Sequence, residues 1–204
     1  LNILVAGCGT GQHVCIVKDY LNSNILALDL SLPSLAYAKR KTDELGLDNI
    51  EYLHADILEL HKLKKKFDVI ECAGVLHHME KPTRGLKILL NLLEPHGVMK
   101  LGLYSEKARQ HIVHVREFIK ENKFNNTAEG IRDCRRSIIN KKENKMFKEI
   151  LNRSDFYTIS SARDLMFHAY EHRFNLSQIS QMISDFDLEF LGFTNEKIKN
   201  KYSK

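Results

Sequence analysis

The chain has 204 residues, 43% hydrophobic and 28% charged, with a net charge of +5. That size and balance fit one well-buried soluble domain with room for a subdomain. No run approaches the roughly 18 apolar residues of a membrane helix, and no basic-then-apolar leader is read, so neither a membrane nor a secreted product is expected. Cys8, Cys15, Cys72 and Cys134 form no C-x-x-C pairs. Reduced thiols in a cytoplasmic protein, without a metal or disulfide framework, are the expectation.

Asn2–Ala6 (NILVA) is a short apolar run stopped by Gly7-Cys8-Gly9-Thr10-Gly11, the pattern of a buried strand feeding a tight turn. Val14, Ile16, Val17 and Leu21 suit a helix. Asn24–Asp29 (NILALD) reads as a second strand, and Ser31 with Pro33 opens a helix that Gly46 closes. Ile50–Ala55 and Phe67–Cys72 are the third and fourth strands. A helix over about 81–93 follows, with Leu86, Leu89, Leu90 and Leu93 on one face. After a turn at Pro95-His96-Gly97, Val98–Tyr104 is the fifth strand. This alternation predicts an α/β fold: a doubly wound, mostly parallel sheet of Rossmann-like type, with a helical insert after the fifth strand.

Residues 105–174 read as that insert, helical and basic, over a core of residues 1–104. Residues 105–153 hold 13 Lys/Arg against 7 Asp/Glu, whereas residues 1–100 balance at 12 and 12. Asn175 caps a helix with Ile179, Met182, Ile183 and Phe186, and Asp187–Phe193 reads as one more strand. Residues 175–204 are therefore expected to return to the core and end in a polar tail. Residue 1 is not Met and a strand begins at once, which suggests a piece of a longer protein.

A glycine turn between strand and helix lets backbone N–H groups approach a ligand closely. Gln12 stands where the dinucleotide fingerprint needs its third glycine, so a nucleotide-dependent oxidoreductase is disfavoured. Asp29 ends the second strand, where a carboxylate can take both hydroxyls of a ribose. Asp56 ends the third and reads either as a ligand for an adenine amino group, with the Ile57 backbone, or as a plain helix cap.

The segments ILVAGCGTG (3–11), ILALDLS (25–31), IEYLHADI (50–57), FDVIECAGVLHHM (67–79) and LLEPHGVMKL (92–101) resemble successive motifs of the class I S-adenosylmethionine-dependent methyltransferases. The resemblance covers about residues 2–104. It implies that Gly7, Cys8, Gly9 and Gly11 cradle the methionine and ribose part of S-adenosylmethionine. Asp29 and Leu30 would hold the ribose, Asp56 and Ile57 the adenine, and Glu71 and Ala73 would line the methyl end. Val5 departs from the pattern, because the family usually has an acidic residue there.

Methyl transfer mainly needs alignment of nucleophile, methyl and sulfur, with a general base only where the acceptor carries a proton. The candidates are His77 or His78 after the fourth strand, Tyr104 at the end of the fifth, and His172. His172 stands near Glu171 and Arg173, with His168 expected one helical turn earlier. Two histidines do not make a metal site, and none is expected. The acceptor is read as a small molecule or a protein side chain. RNA or tRNA binding through Arg109, Arg116, Lys120, Arg132, Arg135, Arg136, Lys141, Lys142, Lys145 and Lys148 is a lesser reading. A non-catalytic binding module is another alternative. Residues 155–174 are loosely similar to a segment of bacterial methyltransferases that follow tetratricopeptide repeats, which implies a flanking repeat domain.

Overall fold

The computed structural model describes residues 1–12 and 22–194. Its contacts divide the chain into two units, Leu1–Arg173 and Phe174–Lys204. The first contains the strands β1 (Asn2–Ala6), β2 (Asn24–Asp29), β3 (Ile50–His54), β4 (Phe67–Ala73) and β5 (Leu93–Gly102). They pair in the order β3-β2-β1-β4-β5, every pair parallel. The chain winds from β1 outward to β3, then crosses back to place β4 on the other side of β1. That reversal opens a crevice at the carboxyl ends of β1 and β4, where ligands of such sheets bind.

The strands formed as read because a parallel sheet is covered on both faces, so its strands are unbroken apolar runs. Ile3, Val5, Ile25 and Ala27 pack with Cys8 and Leu35 on one face. Leu4, Leu26, Leu28 and Ile70 alternate to the other and are equally buried. Helix α1 (Leu32–Glu44) starts as expected, with the Ser31 hydroxyl accepting from the Ser34 N–H at 3.3 Å. Helix α2 (Pro82–Leu90) stops three residues early, since Leu93 already pairs with Phe67. The turn expected at 95–97 lies inside β5 as a bulge. Phe67 faces Leu93 and Val69 faces Val98, so Glu94–Gly97 loops out opposite Asp68, with His96 at φ +66°. The helix read from Val14 to Leu21 lies outside the described residues, as does the tail beyond Thr194.

The insert forms α3 (Gln110–Glu121), α4 (Ala128–Asn140), α5 (Lys145–Leu151) and α6 (Ile159–Phe167). It is more than a polar cover. Ile112, Val115, Phe118, Ile131, Cys134, Ile138, Phe147, Ile150, Phe156 and Leu165 make an apolar cluster of their own. Charged residues line the outer faces of these helices.

In the second unit, α7 (Leu176–Asp185) begins with the expected cap. The Asn175 and Gln178 side chains each accept the other's backbone N–H at 2.9 Å. The strand read over Asp187–Phe193 does not form: the segment is irregular, with Phe190 and Leu191 exposed. Its apolar spacing is strand-like all the same. Among the described residues no helix is long and apolar enough to cross a membrane.

Candidate functional site

The turn after β1 is tied to the end of β2. The N–H groups of Gly7 and Cys8 both donate to the Leu28 carbonyl at 2.8 Å, and the Gly11 N–H donates to the Cys8 carbonyl at 2.9 Å. Asp29 completes the link. One carboxylate oxygen accepts the Gly9 N–H and the other the Ser31 N–H, both at 2.8 Å. A carboxylate offers about four lone-pair positions, so two remain for a ligand after these bonds. No ion pair engages Asp29 among the described residues.

Two glycines show why the turn needs glycine. Gly7, at φ +79°, is pressed so close to Val75 that a Cβ would stand 2.1 Å from its Cγ2. Gly9, at φ +53°, is the opposite case: a Cβ there would meet no atom of the described residues within 4 Å. No described residue fills the space above Gly9, beside the Asp29 carboxylate, as a cradle for an adenosyl ligand requires. Leu30 follows as an exposed apolar side chain.

One oxygen of Asp56 accepts the Leu58 N–H at 2.8 Å and caps the 3₁₀ turn Ile57–Lys62, with Ile57 buried. The capping role is therefore real, and the second oxygen stays available. Cys8 and Cys72 are buried, which pushes both thiols up to about 12, so neither is a nucleophile at neutral pH. The cysteines at 8, 72 and 134 are all free.

Glu71 adds what the residues alone did not convey. It lies directly across from Val5 in the β1–β4 register, 3% exposed, with the Lys100 ammonium 3.3 and 3.4 Å from its oxygens. A carboxylate thus stands one strand away from where the family pattern usually has one. The sequence signal was present, in Val5 and Glu71 together, but only the register links them. Ala73, two residues on, is partly buried at the end of β4.

His77, Tyr104 and His172 come together behind this edge. His77 follows β4 in the 3₁₀ turn Leu76–His78, is 1% exposed, and stacks on Tyr104 with centroids 3.6 Å apart. On Tyr104 lies the Arg109 guanidinium, 3.8 Å from the ring centre. Arg109 is itself buried in an ion pair with Glu171, which also meets Arg173 at 3.5 Å. Neither ring nitrogen of His77 has a partner at hydrogen-bond geometry. Burial first, then the neighbouring His78 and Arg109 charges, press its pKa down to about 3, with the Gly102 backbone opposing only in part. Burial likewise raises the Tyr104 hydroxyl above its ordinary value. The His172 N–H donates to the His77 carbonyl at 2.8 Å. The helical pairing expected between His168 and His172 does not occur, because α6 ends at Phe167.

The basic residues of the insert divide. Arg116 donates to the carbonyls of Met166 and His168, and Arg135 to that of Tyr157. With Arg109, these three bond to the fold itself, whereas Lys120, Arg132, Arg136, Lys141, Lys142, Lys145 and Lys148 are exposed.

Residues 3–97 match the family model described as a methyltransferase domain. The chain is 30% identical, over 95% of its length, to the uncharacterised protein syc1184_c of Synechococcus, of which it spans 48%. It is 32% identical over 105 residues to the mitochondrial ubiquinone biosynthesis O-methyltransferase of Schizosaccharomyces pombe, covering 50% of this chain and 38% of that one. Among solved structures, PKMT2 from Rickettsia typhi in complex with AdoHcy superposes over 94% of this chain and 39% of its own, with a TM-score of 0.72 at 22% identity. That fold likeness runs through the helical insert as well as the sheet.

Proposed function

We propose that this chain, whose residues 3–97 match the model of a methyltransferase domain, transfers the methyl group of S-adenosylmethionine to a small molecule or a protein side chain. The observation that carries this reading is the Asp29 carboxylate bonded to the Gly9 N–H at the crossover of the sheet, where no described residue crowds Gly9. The residues fit an adenosyl ligand: Asp29 has lone pairs left for vicinal hydroxyls, Gly9 admits a close approach, and Asp56 has a free oxygen for an amino group. Glu71 and Lys100 are a carboxylate and an ammonium suited to the two charges of an amino acid.

When bound, S-adenosylmethionine supplies a methyl group already activated by a sulfonium. What the chain itself does is orient and exclude water. The stack of Arg109, Tyr104 and His77 holds the wall between β4 and β5 fixed. His77 stays neutral there and can accept a proton only from an acceptor that reaches it past Tyr104. Because the chain spans about half of its Synechococcus relative, the acceptor and any flanking repeat domain belong to the whole protein and are part of the proposal.

Calorimetric titration with S-adenosylhomocysteine tests the reading. The wild-type chain is expected to bind, and Asp29→Ala to lose at least about a hundredfold, the worth of two hydrogen bonds to a charged group. Asp29→Asn, which keeps one acceptor for the turn, should fall between. No binding by the wild-type chain would overturn the cofactor assignment. Transfer of labelled methyl into a cell-extract fraction separates an enzyme from a non-catalytic module.

A further inference from the structure

His78, at the end of the 3₁₀ turn that follows β4, meets the last turn of α6 across the junction of core and insert. Asp164 and His168 stand there, and one ligand atom from each of these three residues lies within 4.8 Å of the others. We propose that His78, Asp164 and His168 form a binding site for a divalent transition-metal ion, of the class of Zn²⁺ or Co²⁺, which joins the insert to the sheet.

The donor set is that of an open zinc site: two imidazoles, one carboxylate, and a remaining position for water. Asp164 is exposed, with 66% of its side chain accessible, so an ion can enter from solvent. His78 is already oriented. Its Nδ1 lies 3.0 Å from the Tyr170 carbonyl, an acceptor that fixes the proton on Nδ1 and leaves the Nε2 lone pair outward. This outer hydrogen bond is the one metal-bound histidines habitually make.

His168 is poised rather than placed. Its ring stacks on His78 with centroids 3.7 Å apart and planes inclined by 22°, so the two in-plane lone pairs do not converge until His168 turns about its Cβ–Cγ bond. That turn sacrifices no hydrogen bond. The Nδ1 of His168 is buried without a partner, and its Nε2 stands 4.0 Å from Asp164, beyond bonding distance. Coordination would therefore satisfy a nitrogen that the fold leaves unpaired. Asp164 and His168 are i,i+4 neighbours, but His78 comes from the sheet, far away in sequence. No local spacing could announce the third ligand.

The test uses the full chain stripped with a chelator and titrated with Zn²⁺ and, separately, Co²⁺. A single equivalent should bind by calorimetry, the melting temperature should rise with metal, and Co²⁺ should give visible bands of nitrogen and oxygen ligation. Asp164→Asn, which alters an exposed carboxylate and leaves the fold intact, should weaken binding at least about tenfold, as should His168→Asn. Absence of binding by the wild-type chain overturns the site, and so does wild-type affinity in both variants. A sulfur-to-cobalt charge-transfer band assigns the ion to the cysteines and overturns it equally.

Discussion

The sheet and the insert solve the problem of a functional surface in different ways. The sheet edge is shaped by backbone: the Gly7–Gly11 turn is fixed by three main-chain bonds and a carboxylate, and of its two side chains Cys8 is buried. The insert is shaped by side chains: Arg109, Arg116, Glu171, Tyr104 and the histidines hold one another in a polar seam above an apolar cluster. A backbone-built site is rigid and signed by glycine and aspartate spacing. A side-chain-built seam carries specificity and leaves little trace in spacing.

The contrast can be broken most forcefully in the insert. Phe147→Ala removes a 1%-exposed ring from the insert cluster and should cost about 3–5 kcal/mol in urea unfolding. If the site is the sheet's alone, affinity of the surviving folded chain for S-adenosylhomocysteine changes less than about threefold. A larger loss would make the insert part of the cofactor site.

The two turn glycines sharpen the sheet side. Gly7→Ala drives a methyl into Val75 at positive φ and should destabilise the fold by about 3 kcal/mol. Gly9→Ala meets no atom of the described residues, so its stability cost is about 1 kcal/mol of backbone strain, while calorimetry should show cofactor affinity down about tenfold or more. Equal damage to stability by both would mean that the space above Gly9 is not a ligand site.

The seam predicts an acid limb. His77 has a folded pKa near 3 against an ordinary 6.5, so the unfolded chain binds the extra proton between those values. Its contribution is complete above about 6.5 and is lost as pH falls toward 3. His77→Phe should flatten the fall of melting temperature over that window; an unchanged slope would place the acid sensitivity elsewhere. At the small end, the exposed Lys39–Asp43 pair of α1 is worth under about 0.5 kcal/mol, and Lys39→Ala should barely move the unfolding midpoint.

How much could be read in advance follows the same division. The strands were legible because buried parallel strands are continuous apolar runs, and Asp29 because a loop glycine and a strand-end acid fall at a telling distance. The early stop of α2 and the bulge at Glu94–Gly97 were not, since both depend on which residue of β5 meets Phe67. Asp187–Phe193 misled because apolar spacing alone does not make a strand, and the segment is irregular. In the insert, the charges of α3 to α6 hid Ile112, Val115, Ile131 and Ile138, whose helical spacing was in the sequence all along. The pairings of Arg109 with Glu171 and of His78 with His168 were beyond reach, because contacts between distant segments have no local pattern.

The bond from the His172 N–H to the His77 carbonyl joins two segments remote in sequence, with most of the insert threaded between them. Closing so long a loop is entropically slow, so this clasp belongs to the last stage of assembly and the earliest stage of breathing. Deuterium should replace the His172 amide proton well before it reaches the amides of β1 and β4. A fluctuation that breaks it frees the segment carrying His172 from the turn carrying His77 and His78.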